Sequence, residues 1–263
     1  MNTKPQPFDD YAGGYDGHFT HSNIGRLQRR QVWDVFASLK LYNQNILEIN
    51  CGTGEDAAHL SAAGNTVTGT DASAEMIKHA KQKNPSLKIE QAAFLQLKEK
   101  FSNSKFDLIF SNFGGLNCAP ADELKKLSSD FARLLNDEGK LFLVVMGRKC
   151  KWEQFYFLLK GERDKAFRRK QKTGLKTSIN GITFNTYYYS PEEFTAFFAH
   201  DFEIELVRPI GLFVPPSYLE PFFKNHTLIL KGLNWLDKFC GTFKFTANHA
   251  DHFVLVMTKK SNP

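Results

Sequence analysis

Short apolar runs alternate with longer helical segments over residues 45–147, and this pattern predicts an α/β sheet. Runs rich in β-branched and aliphatic residues predict strands at 45–50, 66–71, 88–94, 106–113 and 140–147. The intervening segments predict helices at 55–63, 74–84 and 122–135. Strands that alternate with helices are joined by crossover connections, so we expect a parallel, doubly wound sheet.

The rest of the chain is expected to extend this sheet and to cover it. A helix is predicted at 25–39, a hairpin through Asn180-Gly181, a helix that begins at Ser190 and another helix at 228–239. Strands predicted at 202–213 and 251–259 bring the sheet to seven strands. We therefore expect one domain over 1–263, with an N-terminal cover (1–40), a core (41–147) and two insertions, at 148–200 and 214–250.

Composition excludes several classes of protein. Of the 263 residues, 42% are hydrophobic and 24% are charged, which is a globular balance and not that of a disordered chain. No apolar run is long enough for a membrane-spanning helix, and the N-terminus does not have the pattern of a secretory signal. The four cysteines are widely spaced, which indicates reduced thiols and predicts a cytoplasmic protein.

The positive charge is concentrated in one segment. Residues 148–176 hold 11 Lys/Arg and 3 Asp/Glu, a local net charge of +8, against +6 for the whole chain. Such a segment attracts anionic partners, including nucleic acid. A solvated helix face is the alternative interpretation, and the pattern favours it.

Candidate chemistry lies where the first two predicted strands end. The first strand runs into a glycine-rich turn, EINCGTGEDA at 48–57, with Gly52 and Gly54 before a predicted helix. Glycines let the backbone approach a ligand closely, and the helix start offers unpaired N–H groups. Asp71 ends the next strand, where a carboxylate is placed to accept hydrogen bonds from ribose hydroxyls. The two features predict a nucleotide-type cradle.

Two kinds of cofactor fit this cradle by spacing alone. A dinucleotide needs a bare backbone for its pyrophosphate, whereas Glu48 lies inside the strand and Glu55-Asp56 follow Gly54 directly. Acidic groups would repel a pyrophosphate, and they suit a ligand that carries an ammonium and a sulfonium. The charge pattern therefore favours a cationic nucleoside over NAD.

The ordered motifs of residues 8–147 resemble those of the class I S-adenosylmethionine-dependent methyltransferases of the small-molecule type. The turn at 48–54, Asp71-Ala72-Ser73, the segment FDLIFSNF at 106–113 and LLNDEGKL at 134–141 occur in the family's order. The resemblance implies a Rossmann-like methyltransferase fold and S-adenosylmethionine as the cofactor. Asn50 replaces the family's usual first glycine, and we expect Asn to tolerate a left-handed backbone there.

The resemblance also implies a set of cofactor-binding residues, contributed by the cover, the turn and the ends of the next strands. They are Tyr15, Glu48, Asn50, Cys51, Gly52, Gly54, Asp71, Ala72, Met76, Ala93, Phe94, Asn112 and Phe113.

The acceptor is expected to be a small molecule, hydrophobic or acidic, held on a side formed by the two insertions. Candidate bases are His18, His21 and Tyr15, with Tyr11 and His249 as further possibilities, and no metal site is predicted. Three alternatives remain open: an RNA-directed methyltransferase that uses residues 148–176, a non-catalytic cofactor-binding protein, and an NAD-linked oxidoreductase.

Overall fold

A seven-stranded sheet forms the centre of the protein in a computed structural model, which describes residue 6 and residues 8–179 and 182–261. The strands lie in the order β3-β2-β1-β4-β5-β9-β8. β9 runs opposite to the other six strands, which are parallel to one another. A separate hairpin pairs β6 with β7. The strands are β1 (Asn45–Glu48), β2 (Thr66–Asp71), β3 (Lys88–Gln91), β4 (Phe106–Ser111), β5 (Leu135–Met146), β6 (Leu175–Ile179), β7 (Ile182–Thr186), β8 (Phe202–Ile210) and β9 (His252–Lys259). The predicted mostly parallel, doubly wound sheet is confirmed.

Helices cover both faces of this sheet. On one face Val32, Leu60 and Ile77 pack in one apolar core, and on the other Leu127, Phe131 and Phe194 belong to a second. The helices are α1 (Ala12–Tyr15), α2 (Asn23–Ser38), α3 (Glu55–Ala62), α4 (Ala74–Lys83), α5 (Leu97–Lys100), α6 (Ala121–Leu134), α7 (Lys151–Leu159), α8 (Arg163–Ala166), α9 (Pro191–Phe198), α10 (Glu220–Phe223) and α11 (Thr227–Cys240).

The observed strands differ from the predicted ones mainly at their ends. β1 stops at Glu48 and β3 at Gln91, because the chain turns at the sheet edge to form the cavity described below. β5 begins at Leu135, before the predicted start, and the expected turn at 137–139 is a bulge within it, where Glu138 has a φ of 61°. The predicted Asn180-Gly181 turn lies outside the described residues.

The two insertions occupy different places. The first supplies α7, α8 and the β6–β7 hairpin, and the second supplies α10 and α11, which contact α2. Glu220 of α10 accepts hydrogen bonds from the N–H groups of Asn23 and Ile24, both at 2.9 Å, and so caps α2. The division of the chain into cover, core and insertions stays a prediction.

Neither a membrane-spanning helix nor a metal cluster is found in the part of the chain that the structure describes. None of its helices combines the length and the apolarity that crossing a bilayer requires. No three of its His, Cys, Asp or Glu side chains are grouped to hold a metal ion. The predicted cytoplasmic location stays a prediction.

Candidate active site

A cavity of about 620 Å³ lies at the carboxyl edge of the sheet, beneath the N-terminal cover. Ligands of open α/β sheets bind at this edge. We call one end the turn end, which is lined by residues 50–53, 71–72 and 76. The other is the hairpin end, which is lined by Thr177, Phe184, Asn185, Thr186 and Tyr188.

Two glycines shape the turn end. Gly52 has a φ of 52° and Gly54 a φ of 80°, conformations that side chains with a Cβ rarely adopt. A Cβ on Gly54 would also approach Asn84 Nδ2 of the neighbouring chain segment to 3.0 Å. The glycines therefore bring the backbone close to the cavity just before α3 begins at Glu55.

Asn50 serves a different purpose from the one expected. It is not among the residues with a positive φ in the described chain, so the expected left-handed conformation is wrong. Its Nδ2 instead donates to the Asn112 carbonyl at 2.6 Å, and its Oδ1 accepts from the Ser111 hydroxyl at 2.5 Å. The side chain thus joins the turn to the end of β4, a contact that glycine could not make.

Asp71 is held in place by the backbone around it. One carboxylate oxygen accepts from the Gly52 N–H at 3.0 Å and the other from the Ser73 N–H at 2.9 Å. Burial raises the pKa of Asp71, and these hydrogen bonds act against that rise. Each oxygen keeps a second lone pair, so the carboxylate can still accept hydrogen bonds from a ligand in the cavity.

The cavity lining carries more negative than positive charge. Among the described residues, its charged side chains are four carboxylates and one guanidinium: Glu55, Asp56, Asp71, Glu123 and Arg29. Asp56 forms a buried ion pair with Arg29, and it also accepts from Trp33 at 2.7 Å and from Asn112 at 3.1 Å. Such a field favours a cationic ligand.

Sequence comparison places a known domain over these elements. The profile of the family described as "Methyltransferase domain" matches residues 46–139. An uncharacterised methyltransferase of Synechocystis is 31% identical over 112 residues, which cover 41% of this chain and 50% of that protein. A demethylmenaquinone methyltransferase of Chlorobaculum parvum is 29% identical over 147 residues, 52% of this chain and 57% of that one. The chain thus spans about half the length of the curated relatives it matches.

The fold is shared with solved structures. A SAM-dependent methyltransferase of Methanosarcina mazei superposes with a TM-score of 0.59 at 20% identity, over 84% of this chain and 95% of that one. The order and direction of the seven strands described above are those of this fold. This chain carries a class I S-adenosylmethionine-dependent methyltransferase domain. S-adenosylmethionine is the cofactor of that domain.

The residues of the methyltransferase domain fit this cofactor. The Asp71 carboxylate suits a ribose, the glycine turn admits the backbone close to a ligand, and the surplus of carboxylates suits a sulfonium and an ammonium. Most of the predicted cofactor-binding residues line the cavity together: Tyr15, Asn50, Cys51, Gly52, Asp71, Ala72, Met76, Ala93, Phe94, Asn112 and Phe113.

Two predicted cofactor-binding residues of the methyltransferase domain do not line the cavity. Gly54 lies behind the turn, against Ala80 and Asn84. Glu48 is 1% exposed, and one of its carboxyl oxygens has no hydrogen-bond partner. Burial and the nearby Asp56 raise the pKa of Glu48 well above its ordinary value. Asp56, the second residue of α3, supplies the carboxylate at the cavity surface that the sequence assigned to Glu48.

Of the predicted bases, only Tyr15 lines the cavity. Burial raises the pKa of its hydroxyl to about 12, so it is a neutral donor at ordinary pH. His18 and His21 are exposed and are not part of the lining, and His18 Nδ1 lies 2.8 Å from the Gly14 carbonyl. Tyr11 and His249 also lie outside the lining.

The end of β4 carries backbone strain beside the cavity. Phe113 has a φ of 46°, which is rare for a bulky residue, and Gly114 follows with a φ of 78°. The ring of Phe113 packs edge-on against Phe19 of the cover and against His252, at 4.8 and 5.5 Å between centroids. Strain of this kind is often found at functional sites, and here it turns Phe113 into the cavity.

Sequence reasoning missed several lining residues of this methyltransferase domain. Glu123 lies in the first turn of the helix after β4, and its place at the sheet edge could have indicated it. Burial raises the pKa of Glu123. Arg29 gave no local signal, because it comes from the apolar side of α2. Met146 and Phe184 reach the cavity only through the tertiary fold.

A buried ionic cluster holds the wall of the hairpin end. The Arg169 guanidinium is bonded to Glu153 at 3.1 Å and to Asp251 at 2.8 Å, and it lies 4.9 Å from the centre of the Tyr188 ring. Arg168 binds the same Glu153 carboxylate at 2.9 and 3.0 Å. Part of the basic segment 148–176 therefore points into the protein and not toward a partner.

Proposed function

We propose that this chain transfers a methyl group from S-adenosylmethionine to a small organic acceptor bound at the hairpin end. The observation that carries the proposal is that one continuous cavity joins the turn end to the hairpin end, where Phe113, Met146, Phe184 and Tyr188 also line it. The cofactor, when bound, supplies the methyl group as an electrophile. The protein has to position the two reactants and exclude water.

The turn end would hold the cofactor through three groups. Asp71 would accept hydrogen bonds from the ribose, and Ala72 with Met76 would contact the base. Arg29 lines the cavity beside Asp56 and offers a cation for the carboxylate of the methionine part. Phe8, which packs 5.6 Å from Phe184, closes the cover against the hairpin.

The hairpin end would hold the acceptor. Phe113, Met146, Phe184 and Tyr188 give it an apolar wall that excludes water. Glu123 is the lining carboxylate that we assign as proton acceptor, since burial raises its pKa and the predicted histidines lie elsewhere. The C. parvum relative, named for demethylmenaquinone, supports a small organic acceptor for this chain as well.

The inward contacts of the basic segment favour this acceptor over RNA. Arg148 pairs with Glu193 at 2.8 Å, and Arg168 and Arg169 pair with Glu153. These three arginines are therefore occupied within the fold, and the cavity lining holds no lysine among the described residues. Phosphate contacts from lysine and arginine would dominate nucleic-acid binding.

Parallel calorimetric titrations with S-adenosylmethionine, S-adenosylhomocysteine and NAD test the cofactor. We expect binding of the first two and none of NAD. A screen of small organic acceptors with labelled cofactor then tests transfer, with Glu123→Gln as the matched variant. Loss of transfer with unchanged cofactor affinity is expected for that variant. Methylation of RNA in preference to every small acceptor would overturn the proposal, and binding of NAD alone would overturn the cofactor assignment.

A further inference from the structure

Helix α11 is apolar on both sides. Its inner side places Leu230 and Leu233 in a small core with Ile24 and Trp152. Its outer side carries an exposed apolar row along the length of the helix, which we call the outer stripe: Leu228, Ile229, Trp235 and Phe239. Leu228 is 79% exposed, Trp235 65% and Phe239 68%, so these large side chains have little protein cover.

Two further helices of the same small core also expose apolar side chains. α7 and α10 share the same small core through Tyr156 and Phe223, and each also exposes large apolar side chains. Those side chains are Phe155, Leu158 and Leu159 on α7 and Phe222 on α10. A row of large exposed apolar side chains such as the outer stripe marks an interaction surface, since single soluble chains rarely expose a large apolar patch.

The exposed charges of the segment that carries the outer stripe are positive. Residues 220–245 are all described, and both of their acidic side chains are used inside the protein. Glu220 caps α2, and Asp237 accepts from the N–H groups of Phe213 and Val214 at 2.8 and 2.9 Å. Lys224, Lys231 and Lys244 are exposed, and Lys238 pairs with Asp34 on α2 at 3.1 Å. The outward side is thus apolar with a basic rim.

We propose that the outer stripe lays α11 onto an anionic lipid bilayer, with its apolar side chains in the interface and its lysines at the headgroups. A helix with an apolar face and flanking lysines binds a membrane in its plane, through apolar burial and attraction to anionic lipids. The same basic rim opposes pairing with a second copy, because like charges would face each other. Leucine and isoleucine offer nothing to a phosphate backbone, which argues against nucleic acid.

The proposal does not rest on the proposed function. It concerns a surface outside the cavity lining, and binding to vesicles is measured without cofactor or acceptor. A protein that binds vesicles but transfers no methyl group would contradict the proposed methyl transfer and still support the membrane-binding surface. A protein that transfers a methyl group but does not bind vesicles would contradict the membrane-binding surface and still support methyl transfer.

Co-sedimentation with vesicles tests the surface. We expect the full chain to bind vesicles of mixed phosphatidylglycerol and phosphatidylcholine, to bind phosphatidylcholine alone weakly, and to lose binding as salt rises. Trp235→Ser should weaken vesicle binding at least about tenfold, because the variant has no large apolar side chain to transfer from water into the bilayer interface. The matched control is Tyr42→Ser, which removes an aromatic residue that is 69% exposed in the connection between α2 and β1. Lys231→Gln should also weaken binding, whereas Lys81→Gln on α4 should not.

Tryptophan emission gives a second readout. Trp235 is the most exposed of the three tryptophans, so its emission should shift to shorter wavelength when vesicles are added. Trp235→Phe should bind and lose the shift. Equal binding to neutral and anionic vesicles, or unchanged binding of Trp235→Ser, would overturn the proposal. So would a stable dimer that Trp235→Ser dissociates, or retention by RNA that this variant abolishes.

Discussion

The two ends of the cavity are built in different ways. The turn end consists of backbone and adjacent residues: Gly52 and Ser73 donate to Asp71, and these groups lie at the ends of two neighbouring strands. The hairpin end depends on side chains that are distant in sequence. Arg169 joins Glu153 of α7 to Asp251, which lies 82 residues after Arg169 in the sequence. A substitution of one side chain should therefore disturb several distant residues at the hairpin end, and only neighbouring residues at the turn end.

The largest expected effect is on stability, through Arg169→Met. Glu153 and Asp251 are 1% and 4% exposed, and the variant removes the guanidinium that joins these two buried carboxylates, so that Glu153 keeps only Arg168 of its two arginine partners. Removing one partner of a buried ion pair costs about 3–5 kcal/mol in the free energy of unfolding. Chemical denaturation of the variant and the wild type measures this loss in the free energy of unfolding. Arg168→Met is the control, since that side chain is 33% exposed and shares only Glu153. A similar loss in both variants would show that the buried cluster has no special importance.

At the turn end, Asp71→Ala should reduce cofactor affinity. The variant removes a charged acceptor from the ribose site, which corresponds to about 1.5–3 kcal/mol of binding free energy. Calorimetry with S-adenosylhomocysteine measures the change, and Asp122→Ala at the exposed start of α6 is the control. Thermal unfolding of the variant should remain cooperative. Unchanged affinity in a folded Asp71→Ala protein would refute the assignment of the turn end.

The same contrast explains what the sequence could predict. The fold and most of the turn end follow from short-range patterns, because a strand, a glycine turn and a carboxylate at the end of the next strand must meet at one sheet edge. Glu48 was misplaced because the sequence does not tell which side of the strand faces the cavity. Asp56, eight positions later, lies at the start of the next helix and reaches the lining.

The hairpin end could not be predicted in this way. A hairpin was expected near 180, but nothing local indicates that Phe184 packs on Phe8 or that Tyr187 N–H donates to the Asn117 carbonyl at 2.7 Å. The second insertion was expected to help form the acceptor side. The structure places residues 214–250 outside the cavity lining and packs α10 and α11 against α2. Contacts between residues that are distant in sequence determine the position of the hairpin and that of residues 214–250.

The two ends should also respond to pH with opposite signs. Burial raises the pKa of Asp71, so this group binds more protons in the folded state than in the unfolded one, and its contribution to stability falls as pH rises above about 4. Burial alone would raise the pKa of Asp251 too, but His252 and Arg169 lower it well below the ordinary value. Its contribution is therefore complete above about pH 4 and is lost as pH falls through the folded-state pKa.

Denaturation of Asp71→Asn and Asp251→Asn between about pH 3 and pH 6 separates the two contributions. Relative to the wild type, Asp71→Asn should lose stability less steeply as pH rises. Asp251→Asn should lose less stability than the wild type as pH falls. Parallel curves for all three proteins would contradict the opposite signs.

The smallest expected effects compare two helix caps. Ser73 accepts from the Met76 N–H at 3.1 Å and Ser190 from the Glu193 N–H at 3.2 Å, so Ser→Ala at either should cost about 1 kcal/mol of stability. Ser73 Oγ also donates to Asp9 of the cover at 2.6 Å, whereas Ser190 has no such link to the cover among the described contacts. Ser73→Ala should therefore also weaken binding of S-adenosylhomocysteine, and Ser190→Ala should not. Equal affinities in two equally destabilised variants would mean that the cover does not help to hold the cofactor through this contact.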